Sequence, residues 1–188
     1  MRYTPLPAHF FTDNREAFCQ QLKPNALAVL HANDKMPKSA DQEFQLWQNS
    51  DLYYLTGIDQ EETILVLYPE HPVPQMRAML FLRKTSPEIA IWEGEKLTKA
   101  QATERSGIET VHWLEDFDRI FPTLMNRAYA CYVNLNEHDR FSAEVPYKDL
   151  RFARELRERF PAHELERANP ILRDLRARKR EEEVAYMQ

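Results

Sequence analysis

Residues 49–70 read NSDLYYLTGIDQEETILVLYPE. Two tyrosines, Tyr53 and Tyr54, stand among polar neighbours, the pattern breaks at Gly57, and an apolar run resumes from Thr63 to Tyr68. Taken as two short strands, one near Leu52–Leu55 and one over Thr63–Leu67, the stretch predicts successive sheet elements joined by a polar corner at Asp59–Glu62. The flanks extend that pattern. ALAVLHA (Ala26–Ala32) is a buried-strand candidate between Pro24-Asn25 and Asn33-Asp34. AMLFLRK (Ala78–Lys84) is a further strand, set off by the proline-punctuated PEHPVPQ, and EIAIWEG (Glu88–Gly94) is a short fourth.

Helices surround these strands. Asp13 with Glu16 predicts a capping box opening a helix to about Leu22. Lys96–Arg105 reads as a helix stopped by Gly107, followed by a strand at Glu109–His112. Leu114–Leu124 reads as a helix perturbed near its end by Pro122, and YACYVNL (Tyr129–Leu135) as a strand. Apolar residues at Leu150, Ala153, Leu156 and Phe160 recur at helical spacing within Val145–Phe160. An extended piece follows Pro161, then Pro170, a charged linker, and a helix start at KREEEVAYMQ in which Glu181–Glu183 favour the positive end of the dipole. The order predicts an α/β fold, a mixed β-sheet flanked by helices.

Composition bounds the function. The chain has 188 residues, 43% hydrophobic and 29% charged, enough for one compact domain, or for one domain plus the beginning of another. A net charge of −5 argues against nucleic acid as a partner. No apolar run approaches the roughly 20 residues that span a bilayer, and MRYTPLPAHFF lacks the form of a secretory signal, so the sequence predicts a cytoplasmic protein without a membrane partner. Cys19 and Cys131 sit apart among apolar neighbours and read as reduced, buried thiols.

Chemistry-bearing motifs are absent from the sequence. Three glycines, none close to another, exclude a phosphate-cradling loop, and HExxH, paired CxxC and GxSxG do not occur. No histidine has a second within a helical turn. His138 beside Asp139 and His163 beside Glu164 read as solvated pairs, and the acidic Asp59–Glu62 run as a polar hairpin corner without calcium-loop spacing. Trp92, expected at a strand end beside Gly94, is either a core residue or a ring projecting from the sheet edge toward a partner surface. The residues alone therefore predict a domain with no catalytic constellation.

SADQEFQLWQNSDLYYLTGIDQEETILVLYPE (Ser39–Glu70), IWEGEKL (Ile91–Leu97) and ILRDLRARKREEEVAYM (Ile171–Met187) together resemble the N-terminal domain of Xaa-Pro aminopeptidases, of the creatinase–prolidase family. The sequence departs from that pattern at Trp47, Leu52, Gln60-Glu61, and at Glu93 and Glu95, which flank the IW motif with acid. The resemblance implies a creatinase N-terminal-domain-like (ribonuclease H-like) fold. It also implies an N-terminal domain over residues 1–172, with residues 173–188 forming a linker and the first helix of a catalytic domain.

Catalysis would belong to that C-terminal domain, where two divalent metal ions, usually manganese, activate water against the bond preceding a proline in second position. The segment itself would hold no catalytic residue, no metal and no cofactor. Its implied partners are its own C-terminal catalytic domain, other copies in a homo-oligomer, and short peptides with proline at the second position. Trp92, and more weakly Arg83, would line the substrate cleft. Prolidase or creatinase activity, and a non-catalytic peptide- or protein-binding module of the same fold, are the alternatives.

Overall fold

The computed structural model describes residues 6–142 and 144–187, apart from the side chains of Ile89 and Trp92. In chain order the elements are α1 (Ala8–Cys19), β1 (Ala26–His31), β2 (Pro37–Ser39), β3 (Gln42–Glu43), α2 (Ser50–Thr56), β4 (Ile64–Leu67), β5 (Ala78–Leu82), α3 (Pro87–Glu93), α4 (Lys99–Ser106), β6 (Thr110–Trp113), α5 (Phe117–Met125), β7 (Ala130–Val133), α6 (Lys148–Arg159), β8 (Glu164–Arg167), α7 (Asn169–Ala177) and α8 (Glu181–Met187).

Six strands form one sheet in the order β6-β5-β4-β1-β7-β8. β4 runs antiparallel to both β1 and β5, while β5/β6, β1/β7 and β7/β8 pair in parallel. This is the mixed α/β sheet expected from the sequence. Every residue of β1, β4 and β7 is buried, because helices cover both faces. Alternation along β1 sends Ala28 and Leu30 to one face, packed with Phe11 of α1, Leu55 of α2, Ala102 of α4 and Leu172 of α7. Leu27 and Val29 face the opposite layer, made by Phe121 and Leu124 of α5 and Phe152 and Leu156 of α6.

The decisive stretch is a helix followed by a strand. Residues 52–55, expected as a strand, lie in α2. Asn49 accepts hydrogen bonds from the backbone N–H groups of Asp51 and Leu52, and Gly57 closes the helix in the left-handed region with its N–H on the Tyr53 carbonyl. Leu52 and Leu55, one turn apart, are both buried. α1 then satisfies the exit of α2: Asn14 donates to the Tyr54 carbonyl at 2.9 Å and Arg15 to the Leu55 carbonyl at 2.7 Å. Burial lowers the Arg15 pKa to about 10. A Cβ at Gly57 would stand 2.4 Å from Phe11 Cε2, so the same glycine permits the turn and the α1–α2 contact.

Other boundaries differ from expectation for local reasons. EIAIWEG is helical, within α3, because Pro87 fits a helix start and Gly94 (φ 79°) a helix stop. These signals override the β-preference of its isoleucines. α1 begins after Pro7, so Asp13 and Glu16 are interior residues and not a capping box. α5 continues through Pro122 to Met125. Asp59–Glu62 joins a helix to a strand, so the corner is not a hairpin. Residues 173–177, the start of the expected linker, are helical and complete α7, whose Leu172 is fully buried. At α8 the Glu183 carboxylate accepts from the Arg180 N–H, consistent with acid at a helix start.

Candidate functional site

Polar side chains gather at the carboxyl ends of the parallel strands, next to the place where chain order reverses around β1. Crevices of this kind are the usual ligand positions in open α/β sheets. Three depressions open there.

The first, of about 370 Å³, lies beyond β1 and β5 and is walled in part by His31, Asp34, Arg83, Lys148 and Arg151. His31, the last residue of β1, is 1% exposed and its ring lies edge-on to Phe152 of α6. Its Nδ1 is 2.7 Å from Asp149 Oδ1, itself buried in the first turn of α6. The opposite ring nitrogen, Nε2, is buried without a hydrogen-bond partner. Burial pushes the Asp149 carboxyl above its ordinary value, outweighing the opposing hydrogen bond and charge of His31. Nearby, Arg151 grips both oxygens of Asp34, at 2.6 and 3.1 Å. Burial would raise the Asp34 pKa, but this guanidinium fork prevails and lowers it.

Arg83, just past β5, faces three carboxylates: Glu93 at 2.8 Å, Glu62 at 3.5 Å and Glu61 at 3.9 Å. Lys96 bonds Glu61 and approaches Glu93 at 3.9 Å. Burial would raise Glu61, yet the Lys96 hydrogen bond holds it below the usual carboxylate value. The structure thus ties Arg83 to the residue following Trp92 and anchors the end of α3 to the sheet. The Trp92 side chain lies outside the described residues. Glu93, one of the acidic departures, is a member of this network, whereas Glu95 is exposed.

The second depression, about 790 Å³, runs between the ends of α2, β7 and α7. There Asp51 pairs with Arg176 and accepts from Asn134 Nδ2 at 3.0 Å. The third, about 760 Å³, is apolar, with Met36, Phe44, Trp47, Phe141 and Val145 on its walls. Trp47 is exposed.

The remaining candidates have structural settings. His163 Nε2 lies 2.7 Å from the Met125 carbonyl, and His138 Nδ1 accepts from the Arg140 N–H. Both cysteines are free thiols; burial raises Cys131 and lifts Cys19 to about 11. Among the described residues no group of three or more His, Cys, Asp or Glu side chains is placed to hold a metal ion. No helix among the described residues is long and apolar enough to cross a membrane. The His31–Asp149 pair was missed in the sequence because 118 residues separate its members. The one available signal was a histidine closing an otherwise apolar strand.

The family profile described as "Aminopeptidase P, N-terminal domain" matches residues 11–132. The chain belongs to this family. The aminopeptidase P N-terminal domain seen here is 29% identical over 116 residues to the Xaa-Pro aminopeptidase of Escherichia coli K12, covering 62% of this chain and 26% of that protein. Its fold superposes on a Bacillus anthracis protein assigned as an aminopeptidase P with a TM-score of 0.86 and 27% identity, over 96% of this chain and 42% of the other. A zinc-substituted E. coli aminopeptidase P in complex with product gives 0.77 and 23%, over 97% and 41%. The chain thus spans under half the length of the proteins it matches, and it has the creatinase N-terminal fold of aminopeptidase P.

Proposed function

We propose that this domain is the non-catalytic N-terminal part of a metal-dependent Xaa-Pro aminopeptidase, in which it shapes and gates the active-site cleft and supports oligomer contacts. Membership of the family carries the reading: the matched relative is itself an Xaa-Pro aminopeptidase, and nearly the whole chain superposes on under half of solved aminopeptidase P chains. In this account a C-terminal catalytic domain is the principal partner, short peptides with proline at the second position are substrates, and the protein is cytoplasmic. Two divalent ions, manganese in this reading, would supply Lewis-acid activation of water in that catalytic domain.

The work of this chain is positioning. The Arg83–Glu93 bond at 2.8 Å holds the end of α3 against β5, and with it the backbone that carries Trp92. Trp92 is the proposed cleft-lining residue, and Arg83 supports it indirectly. A cleft covered in this way admits short or unfolded peptides and excludes folded chains.

The test is a substrate comparison on the complete protein, loaded with manganese and then stripped by chelation. Release of the first residue from Xaa-Pro peptides, much slower turnover of Xaa-Ala analogues, and loss on chelation are expected. Equal turnover of both peptides, or metal-independent turnover, contradicts the reading.

A further inference from the structure

We propose, resting on the oligomer contacts of the reading above, that the apolar face formed by the β2–β3 hairpin and residues 141–147 binds a second copy of this chain across a two-fold axis. Three features of that face point to a copy as its occupant.

The first is a hairpin that buries none of its residues. Among the described residues β2 and β3 pair only with each other, and every residue from 36 to 45 is exposed. A two-stranded hairpin without packing is marginal in water. This one is fixed at its base, where Arg151 and the Lys148 N–H at the start of α6 both donate to Asp34, and Lys35 pairs with Glu43. Residues 141–147 lead into the same helix, so hairpin and loop are held side by side with a depression between them.

The second is the amount of apolar surface. Met36, Phe44, Trp47, Phe141 and Val145, 41–68% exposed, stand on the walls of this depression of about 760 Å³. A fully buried aromatic ring hides about 150–250 Å², so three rings exposed to this degree, with Met36 and Val145, offer on the order of 500 Å². A standard interface takes about 800 Å² from each partner, roughly 60% of it apolar, which is the same amount. Contiguous patches of this size mark interaction surfaces. The catalytic domain of the reading above is the poorer fit. Arg180 ties the start of α8 to Asp13 and to the Phe10 carbonyl of α1, whereas the face is fixed to α6, in the layer on the other side of the sheet.

The third is self-complementary charge. Lys38 and Asp41 on the hairpin, and Arg140 and Glu144 on the loop, are exposed and have no ion pair among the described residues. A two-fold axis turns the hairpin of one copy toward the loop of the other, and each contact then occurs twice. In that arrangement Lys38 meets Glu144 and Asp41 meets Arg140, at the rim. Met36 and Phe44 of one copy lie against Phe141 and Val145 of the other, at the centre. An apolar centre inside a polar rim is the usual anatomy of such contacts.

The experiment is sedimentation velocity of the complete protein over a range of concentrations, with Tm as the control for folding. Phe44→Ser combined with Phe141→Ser removes two exposed rings from each copy. It is expected to raise the self-association Kd by about thirtyfold or more, with Tm unchanged. Lys38→Glu is expected to raise it about fivefold, and adding Glu144→Lys to restore the native value. A monomeric complete protein, or association that the paired Phe→Ser changes leave intact, overturns the proposal. Intact association with a lowered Tm also overturns it and assigns the face to the catalytic domain. Should the paired changes prevent folding, the charge reversal decides: restoration by Glu144→Lys supports the contact and failure to restore overturns it. Cleavage of Xaa-Pro peptides is assayed on the same samples. Its absence, with dissociation as expected, counts against the peptidase reading and leaves the contact standing.

Discussion

Two polar clusters share one end of the sheet and are built on opposite plans. Around Arg83 and Lys96, two cations are distributed over Glu61, Glu62 and Glu93, so that most members have a second partner. His31 and Asp149 form a single bond in a nearly dry setting, and one ring nitrogen is left over. Redundancy suits a scaffold, because losing one contact lets the others adjust. A lone buried pair with an unpartnered ring nitrogen has no such reserve. The contrast separates a cluster that tolerates the loss of one contact from a pair that does not.

The sharpest way to break this comparison is Asp149→Ala. Removing one member of a buried pair strands its partner, and a loss of about 3 kcal/mol in urea denaturation is expected. Replacing both His31 and Asp149 by leucine should recover most of that loss, since the pair offers little net stability over apolar packing. A loss near zero for the single variant would mean that the pair is already hydrated. Glu61→Ala should cost less, about 1 kcal/mol, because Lys96 retains Glu93 at 3.9 Å.

Acid titration sharpens the difference in sign. Glu61 has a lowered pKa, so its contribution is present above its ordinary value of 4.5 and is lost as pH falls through its folded value. Asp149 has a raised pKa, so its contribution is present below 3.8 and is lost as pH rises through its folded value. Glu61→Gln should flatten the acid-induced loss of stability, and Asp149→Asn should steepen it, in urea melts between about pH 3 and 7. The smallest effect is expected for Glu62→Gln, within about 0.5 kcal/mol, because Glu62 is largely solvated and Arg83 keeps Glu93.

The sheet was legible in the sequence because its strands are dense apolar runs bounded by turn residues. β1, β4, β5 and β7 all fall where such runs occur. Misreadings came where short segments carry both signals. In residues 50–56 the paired tyrosines favour a strand, but Asn49 and Gly57 supply both helix caps and the α1 side chains Asn14 and Arg15 complete the exit. α3 repeats the lesson with Pro87 and Gly94. Arg83 came from resemblance alone, Trp92 first from its place beside Gly94 and then from resemblance, and only the fold shows Arg83 bonded to Glu93. His31–Asp149 was invisible because its pairing depends on how α6 packs at the end of β1.

The central claim is that this domain contributes to a substrate cleft through Trp92 without being needed there for folding. The direct measurement is kcat/KM on an Xaa-Pro peptide together with Tm, for the complete protein and its Trp92→Ala variant. A fall of about tenfold or more in kcat/KM with Tm nearly unchanged is the expected result. Parallel losses of activity and Tm would contradict the claim and make Trp92 a packing residue.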